Sequence, residues 1–464
     1  MCVSKLIIEY LNQKDDKVVI TDNNGSYTTL EFKKKVFFFK NILNKNIKSN
    51  EGLGILIDRN VDYLAIIFAS MLSKNYYVPL STKSSSKLID YQIKTSQIKL
   101  LICYGKKKEK NIVFRKIKNK NNIQIKKKQL AYVIFTSGST GPKKGVCISN
   151  KAFYSYIQSV KNYFKNRFKS KSLLINGELT FDISNADFAF ALIYKCEICI
   201  TNDSQNIFSF FYLLENRKIE SVYAVPSAWK QILLTGNLFK KNKFKFIKQI
   251  NSGGELLTYG LFKKLRKFAP KAKIYNFYGP TEFTINSHCG EINSPKDFLN
   301  GNATIGKCLP GTNFYLINKR KKKDLILGEL ALSGNQIMSG YINSKEKPFK
   351  LINKKKYYMT GDEFIFKDKK FYFGSRLKDY IKVSGFRVNL HDLSQKISNN
   401  LKIDIFIKII NNELILFSEN ISKKKLISNY ISNYFEWYEK PKKMKFLKNY
   451  KYLENGKVDL KSLI

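Results

Sequence analysis

Histidine is nearly missing from this chain, with only His288 and His391 among 464 residues. A site built on several imidazoles is therefore excluded. Seven cysteines, an odd number scattered through strand-like runs, make no disulfide framework. Cys196 and Cys199 have a Cys-x-x-Cys spacing, but with no second pair and apolar surroundings they read as two core thiols rather than a zinc or redox site. Long apolar runs are also missing. The longest, residues 63–72, is about half of what a membrane span requires. Residues 1–11 carry Lys5 and Glu9 where a secretory signal needs an unbroken apolar core. These absences predict a cytoplasmic protein without membrane contact.

Acidic residues are few, 36 against 83 Lys and Arg, for a net charge of +47. Such a balance ordinarily points to nucleic acid or an anionic membrane. The lysines, however, fall in short separated runs such as 126–128, 354–356 and 423–425, among over-used Asn, Ile, Phe and Tyr. No concentrated groove is visible, so no nucleic-acid partner is expected; a fraction of the charge can attract an acidic protein. A length of 464 residues with 44% hydrophobic content predicts a large core divided over more than one domain.

Residues 1–130 alternate strand-like and helical segments: strands at 18–21, 52–57, 77–79 and 99–102, helices at 30–43 and 62–72. That alternation predicts an α/β sheet. At residues 132–146 an apolar run breaks into the loop TSGSTGPKKG and resumes as a strand at 146–148. Gly138, Gly141 and Gly145 let backbone N–H groups approach an anion, Thr136, Ser137, Ser139 and Thr140 add hydroxyl donors, and Lys144 adds a positive charge. The loop is suited to polyphosphate. It is not a Walker A loop, because no Gly-Lys-Ser/Thr follows and the chain returns to a strand.

At these residues the chain resembles the adenylate-forming enzymes: acyl-CoA synthetases, luciferases and the adenylation domains of nonribosomal peptide synthesis. Their signature is a Thr-Ser-Gly-Ser-Thr-Gly loop; Lys143 takes the usual proline position and Lys144 that of the loop lysine. Further motifs follow in the family's order. Residues 181–187, FDISNAD, resemble the segment whose aspartate binds a substrate α-ammonium, which implies that role for Asp182. A helix N-cap is the plain alternative for it. Asp187 resembles a position of D-alanine to carrier-protein ligases and is a weaker pointer. Residues 223–227 and 251–255 resemble loops bordering the substrate pocket.

Residues 276–284, NFYGPTEFT, are close to the family's signature. The resemblance implies Tyr278 stacked on adenine, Asn276 on its exocyclic amine, and Glu282 on Mg²⁺ beside Thr281. An aromatic face suits a purine and a hard carboxylate suits Mg²⁺. Asp362, in a Thr-Gly-Asp motif, is implied to hold the ribose hydroxyls, Arg376 the ribose and phosphate, and Lys378 the hinge. Lys457, in the Asn-Gly-Lys near the end, matches the catalytic lysine.

The expected fold is therefore α/β, a large N-terminal domain (1–375) of mixed sheets with helices, joined by a hinge to a small α+β domain (379–464). The small domain should contain a hairpin around 384–385, a helix from 390, strands at 403–410 and 414–417, and a helix at 424–437. A further helix, capped by Asn150, should bury Phe153, Tyr156, Ile157, Val160, Phe164 and Phe168.

The implied activity uses ATP and Mg²⁺ to make an aminoacyl-AMP and passes the acyl group to the phosphopantetheine thiol of a carrier protein in trans. The resemblance places Asp182, Ile183, Ala186, Gly253, Gly254, Phe277, Ile285 and Asn286 around the substrate. Bulky Ile183, Phe277 and Ile285 imply a small amino acid, with Ala186 and Gly253 leaving space. A monomer is expected. The alternative is an acyl-CoA ligase for a non-amino carboxylic acid, which has no need of Asp182.

Overall fold

Short runs of β-branched and aromatic residues form strands at Val18–Asp22, Gly52–Leu56, Tyr76–Pro79 and Ile98–Tyr104 in the computed structural model, with helices Thr29–Asn46 and Val61–Leu72 between them. The first helix starts at a capping box: Thr28 accepts from the backbone of Glu31, and the Glu31 carboxylate accepts from the Thr28 N–H. The structure describes residues 2–105, 111–118, 129–136, 144–204, 206–238, 243–342, 348–377, 380–383, 386–410, 413–435, 439–453 and 458–463. They fall into two units, one of Met1–Pro295, Ile305–Phe314 and Leu332–Tyr358, the other of Lys296–Thr304, Tyr315–Ala331 and Met359–Ile464.

The first unit holds two large mixed sheets. In the nine-stranded sheet the order is Lys307–Cys308, His288–Glu291, Lys273–Tyr278, Gln249–Gly253, Ser221–Ala224, Ser172–Ile175, Glu197–Ile200, Val18–Asp22 and Gly25–Thr28. Its interior strands are parallel and its edges antiparallel. In the seven-stranded sheet the order is Gly340–Ile342, Lys144–Ser149, Leu130–Thr136, Tyr76–Pro79, Gly52–Leu56, Ile98–Tyr104 and Ile112–Lys116. The parallel strands are buried along nearly their whole length, as strands covered on both faces must be. Helices such as Asn150–Phe164 and Ile183–Tyr194 fill the layers, and Phe153, Tyr156, Ile157, Val160 and Phe164 form the buried face anticipated from their spacing, while Phe168, expected on the same helix, is buried past its end. The α/β class with mixed sheets and helices is thus the observed one.

The second unit carries the α+β elements anticipated toward the C-terminus. Strands Tyr380–Val383 and Phe386–Asn389 pair antiparallel; the turn residues Ser384 and Gly385 lie outside the described residues. Helix Leu390–Leu401 and helix Lys424–Tyr434 pack Leu393, Ile397, Ile427 and Ile431 against strands Ile405–Ile410 and Glu413–Ser418. A third strand, Lys443–Phe446, runs parallel to Glu413–Ser418 and was not anticipated. Its four residues, KMKF, alternate lysine with an apolar side chain, but the run is too short to stand out among the surrounding lysines. Among the described residues no helix is long and apolar enough to cross a membrane.

One cap is displaced by a residue from the expected place. Ser149, not Asn150, is the N-cap of helix Asn150–Phe164, its hydroxyl accepting from Ala152 N–H at 3.1 Å. Asn150 instead donates its side-chain amide to Leu130 O at 3.1 Å. Both residue types cap well, and the register was settled by the bond to the neighbouring strand. Ser149→Ala should cost about 1 kcal/mol in a urea unfolding experiment, a typical loss for a capping hydroxyl.

Candidate active site

The phosphate-loop candidate sits between two antiparallel strands, Leu130–Thr136 and Lys144–Ser149, so that Thr136 and Lys144 face each other across the ladder. Ser137, Gly138, Ser139, Thr140 and Gly141 lie outside the described residues. Tyr341, on the strand that pairs with Lys144–Ser149, ties this edge to Glu282: its hydroxyl donates to the Glu282 carboxylate at 2.7 Å. The Lys144 ammonium lies 5.4 Å from the centre of the Tyr341 ring. Met338 N–H donates to Glu282 O at 2.9 Å and fixes the backbone. Thr136, Lys144 and Glu282 are thereby brought together.

Glu282 belongs to a tightly constrained reversal. Strand Lys273–Tyr278 ends at Gly279-Pro280, a single 3₁₀ turn covers Thr281–Phe283, and then Thr284 (φ 53°) and Ile285 (φ 72°) both take left-handed backbone. For β-branched residues that conformation is costly and persists only where the surroundings impose it. Gln336 is the clamp. Its carbonyl accepts from the Thr284 hydroxyl, and its side-chain amide donates to Asn286 O at 3.0 Å. Ser287 N–H closes the reversal on Tyr278 O at 2.8 Å. Gly279 leaves the necessary space, since a Cβ there would fall 2.3 Å from Ile285 O.

Asn276 is buried in the same strand beside Ser252, and Tyr278 is half-buried at its end. Tyr278 is the register partner of His288, with ring centres 6.1 Å apart in an edge-to-face arrangement. The His288 ring meets the Ser287 hydroxyl at 2.9 Å and the Cys308 thiol at 3.2 Å. Burial pushes its imidazolium pKa down to about 3, so the ring is neutral at ordinary pH.

The substrate candidates converge beside this reversal. Asp182 stands at the start of helix Ile183–Tyr194 but makes no side-chain cap bond to it, so the plain N-cap reading does not hold. Ile183 reaches the neighbouring strand end: a Cβ on Gly254 would lie 3.5 Å from Ile183 Cδ1. On Gly253 a Cβ would meet the Tyr223 hydroxyl at 2.6 Å and Phe277 O at 2.9 Å. Asn286 is held at both ends, accepting from the Tyr156 hydroxyl at 2.9 Å and donating to the Tyr223 hydroxyl at 3.2 Å. Ala186 is fully buried one helical turn from Asp182. Burial pushes up the hydroxyls of Tyr77, Tyr132 and Tyr223, and the Asp182 carboxylate adds to the shift of each. Asp187 is fully buried, and burial pushes its carboxyl well up.

In the second unit Asp362 is buried and is the register partner of Arg376. The motif is rigid: Thr360 donates to Leu330 O at 2.6 Å and accepts from Asp362 N–H at 3.1 Å, while Gly361 takes φ 69° and donates its N–H to Glu329 at 3.0 Å. Lys378 and Lys457 lie outside the described residues.

Residues 9–342 match the profile of a family described as AMP-binding enzyme. This chain belongs to the AMP-binding enzyme family. It is an ATP-dependent, adenylate-forming ligase. Zwittermicin A synthase ZmaJ of Bacillus cereus is 25% identical over 505 residues, covering 100% of this chain and 94% of the relative. The D-alanine–D-alanyl carrier protein ligase of Bacillus licheniformis is 26% identical, with 72% of this chain and 70% of the relative covered. ATP-bound MatB from Rhodopseudomonas palustris shares the fold, with a TM-score of 0.80 at 16% identity over 100% of this chain and 98% of that one. Other relatives are far longer, and the chain spans between 6% and 19% of them.

Within this AMP-binding enzyme, Gln336, Tyr156 and His288, whose part was not anticipated, hold the site in shape together with Tyr223, the first residue of a segment read as bordering the substrate pocket. Tyr156 was read as core packing, and its ring is indeed buried. A tyrosine in an otherwise apolar pattern is the available signal, because a buried hydroxyl needs a partner. His288 has a measurable consequence. The folded chain keeps it neutral, while the unfolded chain binds a proton below about pH 6.5, so this contribution to stability is present above that pH and is lost as pH falls. Wild type should lose about 1.4 kcal/mol more per pH unit than His288→Asn below pH 6.5, read from urea unfolding at several pH values.

Proposed function

We propose that this enzyme activates a small amino acid as its adenylate and transfers it to the phosphopantetheine thiol of a carrier protein in trans. The observation that carries this reading is the convergence of Asp182, Ile183, Gly253, Gly254, Phe277 and Asn286 beside the nucleotide candidates on adjacent strands. A carboxylate at such a pocket is offset by a bound ammonium. The name of the D-alanine–D-alanyl carrier protein ligase relative supports an amino-acid substrate and a carrier partner.

In the first step a substrate carboxylate oxygen attacks the α-phosphorus of ATP, an O–P bond forms, the α–β anhydride breaks and pyrophosphate leaves. Lys457 bridges carboxylate and α-phosphate, and Thr281 and the 136–144 loop hold the leaving group. Tyr278 and Asn276 receive adenine, and Asp362 and Arg376 the ribose. Glu282, its carboxylate fixed by Tyr341, fits Mg²⁺, which is commonly bound by one or two carboxylates together with phosphate oxygens. When bound, the ion supplies neutralisation of phosphate charge.

In the second step the carrier thiol gives up its proton to solvent, its sulfur attacks the acyl carbon, and AMP leaves as the C–O bond breaks. Rotation of residues 379–464 relative to 1–375 about Lys378 admits the thiol.

Amino-acid-dependent pyrophosphate exchange over a panel of amino and non-amino acids tests the reading. Small amino acids should drive exchange; activity only with acids lacking an amino group, as expected of an acyl-CoA ligase, overturns it, and preference for phenylalanine or tryptophan overturns the size assignment. Lys457→Ala should lose about 3 kcal/mol or more of transition-state stabilisation in adenylate formation, while transfer from supplied aminoacyl-AMP to the carrier is largely spared. Equal loss in both halves would refute the rotation.

A further inference from the structure

Arg59 is 6% exposed and lies just past strand Gly52–Leu56 of the seven-stranded sheet. Its guanidinium reaches into the other sheet. Nη2 donates to Ile175 O at 2.8 Å, Nη1 to Gly177 O at 2.6 Å, and Nε to Thr201 O at 2.9 Å. Ile175 is the last residue of strand Ser172–Ile175, and Thr201 directly follows strand Glu197–Ile200. One side chain therefore joins the C-terminal ends of three strands from two sheets.

The same group faces Glu178, with Nη1 3.7 Å from its carboxylate. Glu178 also accepts from the Ser204 hydroxyl and lies 3.8 Å from the Lys83 ammonium, which pairs with Asp203 at 2.7 Å. From Gly177 the chain needs only five residues to reach Asp182, and that stretch is wound tight: Phe181 N–H donates to Glu178 O at 3.0 Å and Asn185 N–H to Asp182 O at 2.9 Å. Asp182 stands at the end of a short strap whose other end is bolted by Arg59.

We propose that Arg59 is the positioning residue for Asp182, setting where the ammonium-binding carboxylate stands relative to the nucleotide. The inference rests on the amino-acid reading given above. Its basis is geometric: three carbonyls in different directions match the fixed fork of a guanidinium, and an ammonium on a flexible stem cannot span them. Displacements on the order of 1 Å at such a site cost about 100-fold.

The test is Arg59→Lys, which keeps the charge. It should raise the KM for the amino acid about tenfold or more in pyrophosphate exchange, leave the KM for ATP within about twofold, and reduce the preference for the amino acid over its analogue lacking the amino group. A general loosening of the fold would lower kcat and affect both substrates alike. Glu178→Gln, which relaxes the same strap while leaving the three carbonyl bonds in place, should raise the amino-acid KM by a smaller factor; it decides the matter if Arg59→Lys does not fold. A folded Arg59→Lys or Glu178→Gln with an unchanged amino-acid KM and preference overturns the inference alone. Wild type that exchanges only with acids lacking an amino group overturns the amino-acid reading and this inference together.

Discussion

Two consecutive β-branched residues in left-handed backbone, Thr284 and Ile285, set the shape of the site. The reversal they make lies within the eleven residues 276–286. Asn276 and Tyr278 come before the reversal, Glu282 and Ile285 stand in it and Asn286 follows, so nucleotide and substrate candidates are placed side by side by covalent connection. Backbone of this kind is maintained by neighbours that leave no alternative. Gln336 supplies them from a distant part of the chain, and it is itself oriented by the Ser159 hydroxyl at 3.0 Å. Ser159 sits on the helix whose Tyr156 holds Asn286, so one helix braces both sides of the reversal.

The buried hydroxyls around Asp182 follow a consistent electrostatic logic. Tyr77, Tyr132 and Tyr223 are kept neutral by burial and by the nearby carboxylate, so they add no negative charge beside it. Tyr77 donates to Asn185 at 2.6 Å, one helical turn from Asp182. The Asp182 carboxylate therefore stands among buried neutral hydroxyls, while the charge of Arg59 acts on Asp187 further along the same helix.

The sheets and helices were legible because the strands are short apolar runs separated by amphipathic helices, a pattern that local sequence carries. The candidate site was legible as motifs because Tyr278 at a strand end, Glu282 in a 3₁₀ turn and Asp362 within a strand fall in patterns that packing alone would not demand. What could not be read is long-range. The bond from Gln336 to Asn286 joins residues 50 positions apart, and the one from Arg59 to Gly177 spans 118. Neither periodicity nor a local motif carries that information. The cap at Ser149 was misplaced for the same reason, because the competing bond from Asn150 reaches a strand 20 residues away.

The doubly held carboxamide of Asn286 also limits how this pocket can be altered. It offers an acceptor to one buried tyrosine and a donor to another, so replacing it with an aliphatic residue would leave two hydroxyls without partners in a place water does not reach easily. A candidate pocket built this way is altered in correlated steps, with Tyr156 and Tyr223 exchanged alongside Asn286. Libraries that vary one lining position at a time would sample mostly weakened versions of the same enzyme, and a new preference is to be sought in variants that replace the whole trio.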